Sequence, residues 1–276
     1  MLTGYIAIKD FESELEKEII HYRQKLHEKW GRLYLVEGDK QLNWAQLAIH
    51  NPQLITIDSI KDGANKLREQ QRNWFAFPEI NNRRASLVTA ALPHVKQKVW
   101  EFLAPVPQNP MGFFSIIDAH TMMMSPSTNH PLPLGEVKFK EVKDNPPSRA
   151  YLKLWEALTF HTKITPRDLI CADFGSSPGG WTWVLAKLKN QVISIDKAEL
   201  ALNYQHWGRI DFRPVSAFAL KPDQLPELDW LCTDIICYPE KLYEWLMTWI
   251  NSGRVKNVIA TIKFQSDTNF LVIDRL

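Results

Sequence analysis

The sequence has little to offer a metal ion, a disulfide or a membrane. Its three cysteines, Cys171, Cys232 and Cys237, are not grouped at the short Cys/His spacings that zinc ligation requires, so no metal is expected. Cys171 and Cys232 lie in apolar, strand-like runs, which suits buried free thiols in a reducing compartment. No apolar run reaches the roughly 20 residues of a membrane span. The opening "MLTGYIAIKDFESELEKE" lacks a basic region followed by a long apolar stretch. A soluble, cytoplasmic protein with no membrane partner is expected. Charge of one sign is not in excess: the formal net charge is +2, so charge alone neither demands nor excludes a nucleic-acid partner. Internal repeats and low-complexity tracts are lacking, and so is the G-x-G-x-x-G spacing of a dinucleotide site.

What is there is an ordinary globular composition, 45% hydrophobic and 23% charged over 276 residues, enough for one large domain or two smaller ones. The first part mixes strand and helix patterns. "GYIAIK", "GRLYLVEG" and "QLITI" read as strands. "DFESELEKEIIHYRQKLHEKW" reads as one amphipathic helix with acids early and bases late, and "IKDGANKLREQQRNW" as another. An α/β accessory domain over 1–95 fits. A connector with a β-hairpin follows over 96–145, built from the proline-bearing "FLAPVPQNPMG" and two strand-like runs, "FFSIIDAHTMMMS" and "GEVKFKEV". In "KDNPPSRAYLKLWEAL" a helix starts after a proline-rich turn, with Ser148 as its expected N-cap.

The last domain, 146–276, alternates regularly. "LICADFG", "QVISID", "IDFRPV", "LDWLCTD" and "NVIATIKF" read as strands. Helices are expected at "GGWTWVLAKLK", around "KAELALNY" and at "PEKLYEWLMTWINSGRVK". Near-continuous apolar strands between helices indicate a parallel sheet covered on both faces, a Rossmann-like α/β fold.

Ligands of such sheets bind beyond the carboxyl ends of the strands. There the first strand opens into D-x-G-x-x-P-G-G-W: Asp173, Gly175, Pro178, Gly179, Gly180 and Trp181, with Ser177 inside the turn. Asp196 ends the second strand, where a carboxylate can accept both ribose hydroxyls of an adenosine. A tight acidic turn without a phosphate cradle suits a cofactor with an amino-acid moiety, S-adenosylmethionine, better than a nicotinamide dinucleotide. Asp234 and Lys263 end two further strands, and Lys153 lies in "SRAYLKLWEA". A lysine on that rim is costly to desolvate unless paired or neutral, so the set points to chemistry.

"SRAYLKLWEA", "DFGSSPGGWT", "CTDIICYPEK" and "IATIKF" together resemble the FtsJ-like ribose 2′-O-methyltransferases, in order, from about residue 110 onward. "HNPQLITIDSIKDGANKLREQQRNW" resembles the group's N-terminal region. The resemblance implies a Rossmann-like S-adenosylmethionine-dependent methyltransferase domain that modifies a ribose in ribosomal RNA, a cytidine of 23S rRNA. It implies a Lys-Asp-Lys-Glu tetrad, with Lys153 and Asp234 as its first members and Lys263 as the proton acceptor. It also implies cofactor contacts from Ser177, Pro178, Gly179 and Gly180, with Asp196 at the cofactor ribose and Asp234 near the methyl group. Lys263 can take a hydroxyl proton only as a neutral amine; burial, the Lys153 ammonium and the sulfonium favour that form, and Asp234 opposes it.

Three departures stand out. Ser216 occupies the place of an acid near the adenine, and Ala150 the place of a serine. The tetrad's Glu falls beyond Leu276 in the family pattern, and "SDTNFLVIDRL" reads as the start of the helix before it. An exposed sheet edge and weakened catalysis are therefore expected. A catalytically weak S-adenosylmethionine- or RNA-binding module is the alternative reading, and a methyltransferase of proteins or small molecules a further one. Candidate phosphate contacts are Arg72, Arg83, Arg84, Lys96, Lys98, Lys138, Lys140, Lys143 and Arg149. Of the 11 tryptophans, Trp181, Trp183, Trp245 and Trp249 fall on expected helices and read as core.

Overall fold

The structure is a computed structural model that describes residues 1–95, 99–142, 146–162, 164–264 and 268–275. The chain divides into two compact units. The first comprises Met1–Trp100 and Val106–Lys138; the second comprises Glu101–Pro105 and the chain from Phe139 onward.

In the first unit, β1 (Leu2–Ala7) leads to α1 (Glu12–His21), β2 (Lys25–Trp30), β3 (Leu33–Glu37) and β4 (Ala45–His50). These strands form an antiparallel sheet in the order β2-β3-β1-β4. Next come β5 (Gln53–Thr56), α2 (Ile60–Gln70), β6 (Trp74–Ala76), α3 (Asn82–Ala90), β7 (Gly112–Ile116) and β8 (Thr121–Ser125). Their sheet has the order β5-β8-β7-β6, with only β6 and β7 parallel. Side-chain alternation makes four layers of this unit. Tyr5, Tyr34 and Val36 bury against Leu15 and Ile19 of α1, while Ile6, Leu33, Leu35, Leu47 and Ile49 meet Phe113 and Met123 of the second sheet. Phe114, Ile116, Met122 and Met124 cover the other side, against Leu67 of α2 and Val88 of α3.

Several expectations are corrected here. The long first helix stops at His21, the chain turns through Arg23 at φ +53°, and residues 25–30 form edge strand β2. Its side chains are nearly all exposed, so the backbone ladder to β3 decides the conformation, not burial of a helical face. The hairpin lies wholly within "FFSIIDAHTMMMS", because Asp118 Oδ1 accepts from His120 N at 2.7 Å and Thr121 N at 2.8 Å and so folds a turn in mid-run. β7 and β8 belong to the first unit rather than to a separate connector, and "GEVKFKEV" forms no strand.

The second unit contains α4 (Tyr151–Glu156), which runs on into a π-helical turn (Ala157–His161), then β9 (Ile170–Phe174), α5 (Gly180–Lys187), β10 (Gln191–Ile195), β11 (Arg209–Arg213), β12 (Leu228–Thr233), α6 (Pro239–Asn251), β13 (Val255–Ala260) and α7 (Phe270–Ile273). The expected helix around "KAELALNY" is reduced to a single 3-10 turn, Tyr204–His206. Ser148 caps nothing: α4 begins at Tyr151 with Ala150 as cap residue and no side-chain cap bond.

The strands form a wholly parallel sheet, β11-β10-β9-β12-β13, the order of a doubly wound Rossmann-like fold. One face packs on α4 and α5 through Leu154, Trp155, Trp181 and Trp183. The other packs on α6, whose Leu242, Trp245, Leu246 and Trp249 recur at the spacing of a helical stripe. Pro239 opens α6 and Gly253, at φ +68°, follows its end. All four tryptophans read as core are buried. The three cysteines are free thiols, and burial pushes Cys171 up to about 12. No helix among the described residues is long and apolar enough to cross a membrane.

Phe174, the last residue of β9, meets Trp245 and Trp249 edge-on at 4.9 and 5.0 Å between ring centroids. Replacement of Trp249 by Ala is expected to remove about 3–5 kcal/mol from the second unit's unfolding free energy, measured by denaturant titration. A loss below about 1 kcal/mol would show that this ring does not anchor the sheet.

Candidate active site

All five parallel strands point their carboxyl ends at one rim, and the chain crosses it first at the glycine turn. Gly175 takes φ +74°, and a Cβ there would stand 2.4 Å from Ile235 Cγ1. Only glycine suits this position. The amides of Gly175 and Ser176 both donate to the Ile195 carbonyl, at 2.8 and 3.2 Å, which ties the end of β9 to the end of β10. Asp196, next along from β10, accepts from Ser177 N and Ala198 N at 3.0 Å each. Each oxygen of its carboxylate keeps capacity for a further donor, as a ribose diol would need.

These segments wall an open cleft of about 510 Å³. Of the expected cofactor residues, Asp173, Gly175, Ser177, Pro178, Gly180, Trp181, Asp196, Ser216 and Asp234 line it, as does Lys263. Gly179 does not: at φ +113° its back lies against the Trp207 ring and Leu200, so it serves the turn and not the wall. Lys153 stands outside the wall but reaches the Asp234 carboxylate.

Asp234 is held between two ammonium groups. Lys153 Nζ lies 3.1 Å from Oδ2, and Lys263 Nζ lies 3.0 Å from Oδ1 and also donates to the Asp234 carbonyl. Burial works to raise the carboxyl, but the two lysines outweigh it and hold Asp234 below the usual carboxylate value. Asp173, 1% exposed, behaves oppositely. Burial pushes its carboxyl up to about 7, against the hydrogen bond that Thr182 Oγ1 donates at 2.6 Å, with the Asp234 and Asp196 charges adding to the rise.

Sequence reasoning missed several wall residues, among them Ser148, Ser176, Lys197, Phe218 and Ile236. The hydroxyls of Ser148 and Ser176 are buried and have no hydrogen-bond partner among the described residues. Orphaned polar atoms beside a cleft suit a ligand with polar ends. The available signal was position, because Ser176 lies in the glycine turn and Ser148 in the segment that the turn packs against: a Cβ on Gly180 would come within 2.5 Å of its Oγ. The whole donor set fits S-adenosylmethionine. Asp196 matches its ribose; Asp173, Ser148 and Ser176 match its charged amino-acid end; and the Asp234 carboxylate suits a sulfonium. Ser216 stands on the wall where an adenine acceptor was expected. No metal-holding group of His, Cys, Asp or Glu occurs among the described residues.

The candidate phosphate contacts divide. Arg72, Arg83 and Lys138 are exposed. Arg84, on α3, donates to the Ala119 carbonyl at 2.8 Å and braces the turn between β7 and β8. Lys140 and Arg149 pair with Glu101 and Glu141 at 3.5 and 2.9 Å. Lys96, Lys98 and Lys143 lie outside the described residues.

The model of the FtsJ-like methyltransferase family matches residues 146–241. A ribosomal RNA large subunit methyltransferase M from Xanthomonas axonopodis pv. citri is 32% identical over 252 residues, 81% of this chain and 71% of the relative. Its counterpart from Xanthomonas oryzae pv. oryzae (strain MAFF 311018) is 28% identical with the same coverage. A possible methylase from Clostridium difficile 630 matches 94% of this chain and 89% of its own, at 10% identity and a TM-score of 0.33. The doubly wound sheet, the glycine turn and the cleft at its rim define an S-adenosylmethionine-dependent methyltransferase. Within that class, the chain belongs to the family of the ribosomal RNA large subunit methyltransferase M.

The Asp173 proton gives a prediction. Folded, this carboxyl titrates at about 7 against an ordinary 3.8, so between those values the native state binds more protons than the unfolded one. Its contribution to stability is therefore greatest at low pH and falls as pH rises from about 4 to about 7. In Asp173→Asn this falling limb disappears. Urea unfolding of both proteins from pH 5 to 8 reads the difference, and parallel curves would refute the assignment.

Proposed function

We propose that this chain methylates the 2′-oxygen of a ribose in ribosomal RNA, a cytidine of the large-subunit RNA, with Lys263 as the general base. The observation that carries this reading is the Lys153–Asp234–Lys263 constellation on the rim of the cofactor cleft. The family's relatives, named for ribosomal RNA of the large subunit, supply the substrate class. Such a substrate is met in the cytoplasm.

Bound there, S-adenosylmethionine supplies a methyl group activated by sulfonium charge. The chain's own work is on the hydroxyl. A ribose hydroxyl is a weak nucleophile until its proton leaves. Lys263 spends two N–H bonds on Asp234, one to the carboxylate and one to the carbonyl. The remaining tetrahedral position of its nitrogen carries a proton in the ammonium and a lone pair in the amine. The side chain is 24% exposed, which leaves that position accessible. As the amine, Lys263 takes the hydroxyl proton, while Asp234 fixes its direction. Lys153 pairs with the same carboxylate from the other side. Proton transfer of this kind contributes about 10²–10⁴-fold, and alignment of the reacting atoms supplies much of the rest. In the first unit, exposed Arg72, Arg83 and Lys138 offer phosphate contacts for a structured RNA.

Lys263→Ala is expected to slow transfer of labelled methyl to unmodified large-subunit ribosomal RNA by about 10²–10⁴-fold. Cofactor affinity, read by calorimetry, should stay within a few-fold. Undiminished transfer by this variant would overturn the role given to Lys263.

A further inference from the structure

Between β12 and α6 the chain passes from Asp234 through Ile235, Ile236 and Cys237 to Tyr238. Its side chains alternate. Ile235 and Cys237 turn inward and pack on the apolar cluster beneath the sheet. Ile236 and Tyr238 turn outward and are 77% and 61% exposed. Single exposed apolar residues are ordinary. Here two stand at alternate positions of the segment that leaves Asp234, and Ile236 already forms part of the cleft wall with Asp234 and Lys263.

Tyr238 stands just beyond this wall, and the aromatic rings of the wall itself are engaged. Trp181 is buried and donates to the Ala150 carbonyl at 3.0 Å, and Phe218 carries the Lys241 ammonium 4.2 Å over its ring. Among the described residues no ring or cation packs on Tyr238. A ribose whose 2′-hydroxyl reaches Lys263 carries its base on the adjoining carbon, so the base must come to rest on the rim close to that lysine. A nucleobase is flat and apolar on its faces, and aromatic side chains are the usual platform for an unpaired base.

We infer that Tyr238, flanked by Ile236, is the stacking seat for the nucleobase of the nucleotide being methylated, an inference that rests on the proposed ribose methylation. Stacking reads the flat face and not the hydrogen-bonding edge, so this seat holds the base in place without selecting which base it is.

The test is an anisotropy titration of labelled hexacytidylate against the full chain saturated with S-adenosylhomocysteine. Tyr238→Phe should bind within two-fold of the unaltered protein. Tyr238→Ala should bind about 5- to 150-fold more weakly, the range that loss of one base–aromatic stack produces. A ribose-phosphate hexamer without bases should show no difference between the two variants. In methyl transfer to unmodified large-subunit RNA, the Ala variant should raise KM while kcat and cofactor affinity change little. The inference is overturned if Tyr238→Ala binds hexacytidylate as well as the unaltered protein, if Tyr238→Phe loses as much as Tyr238→Ala, or if the baseless strand shows the same loss. Absence of methyl transfer by the unaltered protein would instead refute the proposed function, and the hexacytidylate comparison would still decide the role of Tyr238.

Discussion

Asp234 stands 3.1 Å from one lysine and 3.0 Å from another, and those lysines come from elements far apart in sequence. Lys153 rides on α4, ahead of the sheet, and Lys263 lies just beyond β13. Bringing two ammonium groups to one carboxylate requires the parallel sheet to place β12 beside β13 and α4 to pack across α5. A half-buried carboxylate would be disfavoured as an anion without them. The fold and the charge arrangement thus depend on each other. The strand order brings the groups together, and their pairing offsets the cost of keeping charge on a partly desolvated rim.

Much of the second unit was legible in its sequence because its strands are buried on both faces. Runs such as "LICADFG" and "LDWLCTD" leave no other conformation that hides them, and the glycine turn and the acids at strand ends then mark the rim. The first unit was less legible. Residues 25–30 share the polarity of a helix surface, and only pairing with Leu33–Glu37, a non-local event, makes them a strand. Strands β4 and β6 were not anticipated either; β6 is only three residues long, and its Trp74 was read as the end of the preceding helix. The hairpin was hidden by an apolar run that a single Asp118 interrupts. Ser148 was read by its local chemistry as a helix cap, whereas its actual surroundings are set by Gly180, a residue 32 positions on.

The four layers of the first unit have their own physical logic. Its two sheets meet face to face, so every strand at that contact divides its side chains between a helix-covered side and a sheet-covered side. Glu18, on α1, is fully buried yet satisfied: it accepts from Asn43 N, Asn43 Nδ2 and Trp44 N at 2.8, 2.8 and 2.9 Å. One carboxylate therefore pins the loop before β4 to the helix. Such a pin orders backbone that would otherwise leave donors unsatisfied.

Phe174 sits between the indoles of α6 and the first glycine of the turn. Aromatic rings locked edge to face beneath a loop leave it few alternative shapes. Such packing restrains the cradle before any ligand arrives, and an incoming adenosyl group has less backbone to order. Little of the contact energy is then consumed in freezing the receptor, so an open cleft can hold a small molecule that a floppy loop of the same composition would release.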